Sequence, residues 1–464
     1  MIPADEARRF PVEKTIRWAL FGLWIVVTAI VVAHHEPWRD EADSWLLARD
    51  AHPSTLLAQA RSGGTPVLWY MALMLPAKAG LSIAAQQWIN WSFCAVAVWL
   101  IVFRLDLPWP ARLLGVTSFH FAYEYAAVSR SYAMGIALVA CGVALWRVRS
   151  EHAVAIAVLL ALAANTSVHA LILAGALAAA IAVDGSIAPR RRLVACLLFA
   201  AGLLAAVAQL YPPGEFAGIA PRATLNVAMA GAVSPLGPTP ISGLAGCLAA
   251  LAILLSVWRS RSALAFLLCA FVGYGVLFQF VYLGFPRHHG FLLVSMLFAM
   301  ALFAVERTSK ELRLAGIVLA LAFIPSIVDA GNYVRLDIAR PFSGGLVAAR
   351  AIEKHVPAGM PVAAHKPTSA ESVLVHLDRR QFYYPVLDRD GSYMTWDEGF
   401  WTNDRLTTVE AIEKAETHFA GRRYALLLDR PMPPEYAPLF DVVAVEGRDV
   451  FSNTAEIYAI CLRR

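Results

Sequence analysis

The sequence predicts a mainly α, polytopic membrane protein, a transmembrane helical bundle of about eleven spans followed by a small soluble α/β domain. Three observations carry that expectation. Hydrophobic residues make up 59% of the 464-residue chain and charged residues only 16%, with a mean hydropathy of +0.58, more than a soluble domain carries. Apolar stretches of membrane-crossing length recur up to about residue 330, and beyond residue 331 the composition becomes charged and mixed.

The first apolar stretch, 16–33, follows Arg8, Arg9, Lys14 and Arg17. Val31 to Ala33 has the look of a weak signal-peptidase site, but the run is of full span length and more spans follow, so it reads as an uncleaved anchor. Further spans are placed at 85–103, 112–124, 131–147, 153–168, 170–183, 193–210, 240–258, 263–283, 289–305 and 314–330. With the N-terminus cytoplasmic, the loops holding Arg104 and Arg112, Arg147 and Arg149, Arg190 to Arg192, Arg259 and Arg261, and Arg307, Lys310 and Arg313 all fall inside, which satisfies the positive-inside rule. Pro66 to Ile83 is apolar but broken by Pro76, Lys78 and Gly80, and counting it as a span would export Arg104 and Arg112. It reads as partly inserted or re-entrant, which is permitted at membrane depth beside protein or a water-filled cavity.

The same parity places on the outer face an acidic loop after the first span, the stretch around Glu124 to Arg130, the loop Tyr211 to Gly237, the motif Pro286 Arg287 His288 His289, and the whole tail. Two domains follow: a membrane domain over 1–335, with an outer loop at 34–65 that carries the candidate chemistry, and a soluble extracytoplasmic α/β domain over 336–464. Within the tail, helix-like Gly345 to His355 and Val409 to Phe419 alternate with strand-like Pro361 to Ala364, Tyr424 to Asp429 and Val442 to Val445. No repeat of fixed period is seen, and Pro212 Pro213 Gly214 with Pro235 to Pro240 marks a mobile outer loop, able to act as a lid, rather than a domain linker.

Composition also excludes several classes. The net charge of +5 comes mostly from arginines in short loops, where membrane orientation accounts for it, so no nucleic-acid partner is expected. Five of the six cysteines, Cys94, Cys141, Cys196, Cys247 and Cys269, lie in apolar spans and Cys461 stands alone, so there is neither a disulfide framework nor a CxxC metal site.

Three polar groups are candidates for chemistry. The run His34 His35 Glu36 Pro37 Trp38 Arg39 Asp40 Glu41 Ala42 Asp43 sets four carboxylates just beyond the first span. A charged side chain costs roughly 2.5–3.5 kcal/mol at a membrane-helix centre, so this cluster belongs at the water boundary. Continued as a helix, it puts Asp40 and Asp43 on one face with Glu41 about 100° away. Trp38 and Trp45, two turns apart, fit either an interfacial aromatic belt or a substrate contact. The second group is Glu124, Arg130 and Tyr132 between apolar spans; Glu124 and Arg130 either pair across the turn or serve a site, Glu124 joining Asp40 around a metal or acceptor and Arg130 meeting a phosphate. Arg287, His288 and His289 form the third, as ordinary interfacial polarity or as phosphate and metal contacts. His169 and His120 stand alone in sequence and read as structural.

Together these groups offer acids to activate a nucleophile and cations to receive an anionic leaving group. That is a layout for glycosyl transfer from a phosphate-linked sugar, in which a single carboxylate base suffices because the departing phosphate needs no general acid. Hydrolysis of a glycoside, by contrast, calls for an acid to protonate the leaving oxygen.

Asp40 Glu41 after the first span, Pro66 Val67 Leu68 Trp69 Tyr70, the Ser129 Arg130 Ser131 Tyr132 element and the exported tail resemble GT-C glycosyltransferases, in particular the group related to protein mannosyltransferases and aminoarabinose transferases. The resemblance covers roughly residues 15 to 330. It implies a GT-C type bundle and an inverting enzyme of the inner (plasma) membrane. Such an enzyme moves a hexosyl or pentosyl group from a polyprenyl-phosphate donor to a hydroxyl of a lipid, glycan or protein acceptor at the extracytoplasmic face. By the same resemblance Asp40 matches the catalytic base, Glu41 its neighbour and Glu124 a second acidic position. Arg130 and Arg287 match loosely the cations that hold lipid phosphate, and Tyr132, His288, His289 and Trp38 join them as substrate-binding candidates. A divalent cation, Mg or Mn, would sit at Asp40 and Glu124. Relatives often carry a histidine before the proline of the second motif; here Gly63 Gly64 Thr65 precede Pro66, leaving His52, His288 or His289 for that role.

Two rival readings stand beside this one. A transporter or flippase of lipid-linked sugars would also need a polar cavity and phosphate-binding arginines, but repeats and mid-membrane charges are its usual marks, and here the ionisable groups gather at one face. In the other rival, the tail is a binding module with the bundle as its anchor, yet eleven spans exceed what anchoring requires. Trp396 Asp397 Glu398 Gly399 Phe400 Trp401 is either an aromatic acceptor contact in the tail or part of its packing core.

Overall fold

The computed structural model describes residues 4–211, 233–307, 311–378, 381–394, 406–447 and 457–464. It divides into two compact units: Met1–Ala33, Trp88–Ala208 and Gly218–Val334 form a helical unit, and His34–Gln87, Gln209–Ala217 and Arg335–Arg464 a mixed one. The loop after the first span therefore clusters with the C-terminal tail.

In the helical unit every apolar stretch of the sequence falls on helix. Seven helices are long and apolar enough to cross a bilayer: Glu13–His34, Ala84–Phe103, Pro189–Leu210, Pro240–Val257, Arg261–Val281, Pro286–Glu306 and Ala315–Ala339. An eighth crossing is available if Tyr132–Ala144 and Trp146–Ala164, bent by 42°, act as one span. Among the described residues the expected eleven is not reached on length and composition, because Trp109–Thr117, Tyr132–Ala144 and Val168–Val183 are each too short for a full crossing of about 20 residues.

Local chemistry fixes several of these helix starts. Ser167, Thr239 and Ser260 each accept a hydrogen bond from the backbone N–H three residues on, and Pro240 and Pro286 occupy first-turn positions where no N–H is needed. Pro286–Glu306 is the innermost helix, 83% buried over its apolar window against 17% for Pro189–Leu210, whose Leu193, Leu197 and Leu204 face outward. Close approach needs small residues: a Cβ on Gly202 would stand 2.6 Å from Ala161 Cα, so only glycine lets these two helices touch there.

The basic loops that parity assigned to one face are joined at one end of this unit. Arg149 pairs with Asp184 and lies 3.7 Å from Glu306, Ser260 Oγ donates to Glu306, Arg147 pairs with Asp106, and Arg191 donates to the Ser150 carbonyl. The aromatic and histidine-rich segments around Tyr132 and His288 belong to other helix ends.

The mixed unit opens with helices Arg39–Asp50, Pro53–Gly63 and Leu68–Lys78. The last has 11 residues, roughly 16 Å of rise, and is not of span length. It packs against Arg39–Asp50, and Lys78 Nζ donates to the Ala51 carbonyl at 3.3 Å. The tail forms a six-stranded sheet of β1 (Val362–Ala364), β2 (Phe382–Tyr384), β3 (Arg389–Gly391), β4 (Ala425–Leu428), β5 (Phe440–Glu446) and β6 (Tyr458–Arg463), in the order β3-β2-β1-β4-β6-β5. β1 runs parallel to β2 and β4, and the remaining pairs are antiparallel. Helices Gly345–His355 and Pro367–Leu374 pack on one face over Ala364, Phe382 and Ile460; Thr408–Phe419 covers the other over Ala363, Leu426 and Cys461. A capping box, Thr407 with Glu410, starts that last helix. The α/β tail expected from the sequence is present.

Candidate functional site

The acidic run becomes a tightly wired helix start in the mixed unit. Helix Arg39–Asp50 begins with Glu41 folded back so that its Oε2 accepts from the Trp38 N–H at 3.2 Å. The same oxygen lies 3.1 Å from His35 Nε2, while His35 Nδ1 meets Asp337 Oδ2 at 2.7 Å. With both ring nitrogens facing carboxylates and no exposed side-chain surface on any of the three, His35 is an imidazolium donating in both directions. Burial alone would lower its pKa, but Asp337 and Glu41 outweigh it and hold the imidazole well above its ordinary 6.5. Phe342 packs on the His35 ring at 4.6 Å and on Trp38 at 6.3 Å, and Gln86 and Gln87 donate to the carbonyls of Glu41 and His35.

Asp40 and Glu41 thus have different surroundings. Glu41 is sealed inside this clamp, whereas Asp40 keeps 26% of its side chain exposed, with Arg39 Nε at 3.4 Å. Glu36 is also committed, its Oε1 accepting from the Leu346 N–H at 2.6 Å. Trp38 is buried, with Arg39 over its ring at 5.4 Å. Asp40 is the carboxylate of the Asp-Glu pair that solvent or a substrate can reach.

One acid joins this turn that sequence reasoning missed. Helix Pro367–Leu374 packs against Arg39–Asp50 and carries the buried Glu371, whose Oε1 accepts from the Met394 N–H at 2.7 Å. Burial first, and then the nearby Asp43 and Asp40 carboxylates, push the Glu371 carboxyl well above the usual range. Its sequence signal was faint: an acid one turn before Leu374 and one after Pro367, on the face of the helix that is buried.

The other predicted residues belong to the helical unit. Glu124 closes a π-helical turn, His120–Glu124, and lies in electrostatic range of Tyr125 and Tyr333. His288 Nδ1 accepts from the Phe285 N–H at 2.8 Å, which puts the ring proton on Nε2, where it donates to Tyr132 Oη at 2.8 Å. Arg130 and Arg287 are both in electrostatic range of that imidazole, so Arg130, Tyr132, Arg287 and His288 come together. Arg287 lies over the Phe285 ring at 5.0 Å, and Tyr125 donates to its carbonyl. His289 has no nitrogen to spare, accepting from Ser234 N–H at 3.1 Å and donating to the Leu283 carbonyl at 2.8 Å. His169, which looked solitary in sequence, stacks on His288 at 4.6 Å and 10°. His52 caps helix Pro53–Gly63 through Ser54.

A divalent cation was expected at Asp40 and Glu124, but these belong to different units, and among the described residues no three His, Cys, Asp or Glu side chains converge as a metal-binding group. The candidate acceptor contact 396–401 lies outside the described residues.

No family model and no curated protein matches the chain. Solved structures do. The chain is similar to the crystal structure of ArnT, an aminoarabinose transferase of the GT-C glycosyltransferases, from Cupriavidus metallidurans in the apo state, with a TM-score of 0.58 and 11% identity over 99% of this chain and 98% of that one. It is similar also to ArnT from Cupriavidus metallidurans bound to undecaprenyl phosphate, with a TM-score of 0.55 and 10% identity over 96% and 97% of the two chains. The shared feature is the fold: a helical membrane part and a C-terminal sheet domain, matched nearly end to end.

Proposed function

We propose that this chain is an integral-membrane glycosyltransferase that moves a hexosyl or pentosyl group from a polyprenyl-phosphate donor to an acceptor hydroxyl. The observation that carries the reading is the end-to-end fold match with a glycosyltransferase whose crystal structure holds undecaprenyl phosphate, in a chain whose partly exposed Asp40 lies in the first turn of the helix after the first span. The protein is read as a multi-pass inner-membrane protein with its N-terminus and basic loop end cytoplasmic, and with the acidic turn and the tail extracytoplasmic.

In this reading Asp40 takes the proton of the acceptor hydroxyl as its oxygen attacks the anomeric carbon. The bond from that carbon to the phosphate oxygen breaks on the opposite face, which inverts configuration, and the electron pair leaves with the polyprenyl phosphate. Arg130 and Arg287 neutralise that phosphate, and the Tyr132–His288 pair holds their surroundings in place. Glu41 sets the turn through His35 and the Trp38 N–H rather than touching substrate. Glu124 orients the acceptor, which is a lipid, glycan or protein.

The test is transfer in proteoliposomes with a polyprenyl-phosphate sugar. Asp40→Asn should stop release of free polyprenyl phosphate while leaving expression and thermal unfolding unchanged; full activity in that variant rejects Asp40 as base. Translocation of intact donor without release would replace the enzyme reading with a transporter.

A further inference from the structure

At the basic-loop end of the helical unit, a cavity of about 330 Å³ opens between the ends of three helices, Ala84–Phe103, Tyr132–Ala144 and Pro286–Glu306. Its walls are of two kinds. Phe103, Val143, Leu145 and Val305 make the apolar part, and Arg104, Arg147 and Asp106 the charged part. A site where apolar helix ends give way to arginines lies at the depth of lipid headgroups.

The charge at this end is unevenly committed. Arg149 is taken by Asp184 and Glu306, Arg112 donates to the carbonyls of Ile101 and Leu105, and Arg191 to that of Ser150. Arg104, by contrast, is exposed and has no carboxylate partner among the described residues. Arg147 pairs with Asp106, but with 68% and 34% of the two side chains exposed, such a pair is worth little and exchanges readily for a better anion. Two guanidiniums against one carboxylate leave the cavity short of one negative charge. One turn before Phe103, Trp99 is 37% exposed with its ring 6.0 Å from that of Phe103, a surface along which an acyl chain can lie.

We propose that this cavity binds the phosphodiester headgroup of an anionic phospholipid, its phosphate between Arg104 and Arg147 and its glycerol over the apolar floor. A zwitterionic headgroup would bring a cation of its own against the two arginines, so the site selects for net negative charge. The proposal does not depend on the transferase reading.

Native mass spectrometry of the delipidated full chain tests it, with phosphatidylglycerol as probe and phosphatidylcholine as reference. Wild type should retain phosphatidylglycerol in preference. The double variant Arg104→Gln, Arg147→Gln should bind it on the order of tenfold more weakly. Leu145→Trp, which fills the floor and leaves both arginines, should weaken it as well, and Arg190→Gln on another loop should leave it unchanged. Equal retention of the two lipids by wild type, or undiminished phosphatidylglycerol binding in both cavity variants, overturns the proposal. Displacement of the lipid by glycerol 3-phosphate at matched concentration would reassign the cavity to free phosphate and overturn it too.

Discussion

His35 and Asp337 meet at 2.7 Å although 302 positions separate them in sequence. The contact fixes the first turn after the opening span to the last turn of helix Arg313–Ala339, and through Glu41 it reaches the start of the helix that carries Asp40.

Stability of the mixed unit should therefore depend on this clamp. Removing one partner from a buried charge pair costs about 3–5 kcal/mol, so Asp337→Asn or His35→Gln should lower the thermal midpoint clearly. Because the folded-state pKa of His35 is raised, its contribution is full below the ordinary value of 6.5 and is lost as pH rises through the raised value. Thermal unfolding in detergent between neutral and alkaline pH should show a decline in wild type that is shallower in His35→Gln.

Glu371 gives a second pH dependence of the same direction from the opposite chemistry. Its carboxyl gives up its proton at higher pH in the fold than in the unfolded chain, where it does so near 4.5, so the unfolded state is increasingly favoured as pH rises from there to the raised value. Glu371→Gln, which keeps the neutral shape, should be at least as stable as wild type at pH 8 and should flatten the pH slope. A fall in stability with an unchanged slope would show that the carboxyl is ionised in the fold.

Asp40 and Glu41 should separate by phenotype. Asp40→Asn is expected to lower transfer by roughly 10²–10⁴-fold, the range of a general base, with normal unfolding. Glu41→Gln should act mainly on stability, by breaking the link to His35. Parallel measurement of kcat and thermal midpoint distinguishes the two.

In the helical unit, Arg287→Lys keeps the charge but loses the planar fork, and should raise KM for the polyprenyl-phosphate donor on the order of tenfold with a smaller effect on kcat. Tyr132→Phe removes one hydrogen bond to His288 and should cost about 1 kcal/mol of stability.

Reading the sequence located the helices because hydrophobic runs need no partner to be recognised: 85–103 was expected and Ala84–Phe103 is found. Residues Gly345 to His355 likewise matched helix bounds, as the amphipathic pattern is local. Strands β2, β3 and β6 were not anticipated, β2 and β3 because three residues are too few to display alternation, and β6 because its first four residues are all buried and show none. Asp40 and Glu41 stood out by position after the first span, yet nothing local says that one is exposed and the other sealed; that is decided by His35 and Asp337. His169 read as solitary because its neighbour His288 lies on another helix. Glu371 sits in no motif at all.

The grouping of His34–Gln87 with Arg335–Arg464 also sets an order of events during synthesis. A ribosome that has delivered the acidic turn must add about 290 residues, most of them belonging to the helical unit, before Asp337 exists, and more before Glu371 does. Until then His35 has Glu41 but no second carboxylate, and Arg39–Asp50 has no Pro367–Leu374 to pack against. A nascent chain stalled anywhere in the bundle is therefore expected to hold its candidate base on an unanchored turn, so that competence for chemistry arrives with the tail and not with the membrane helices.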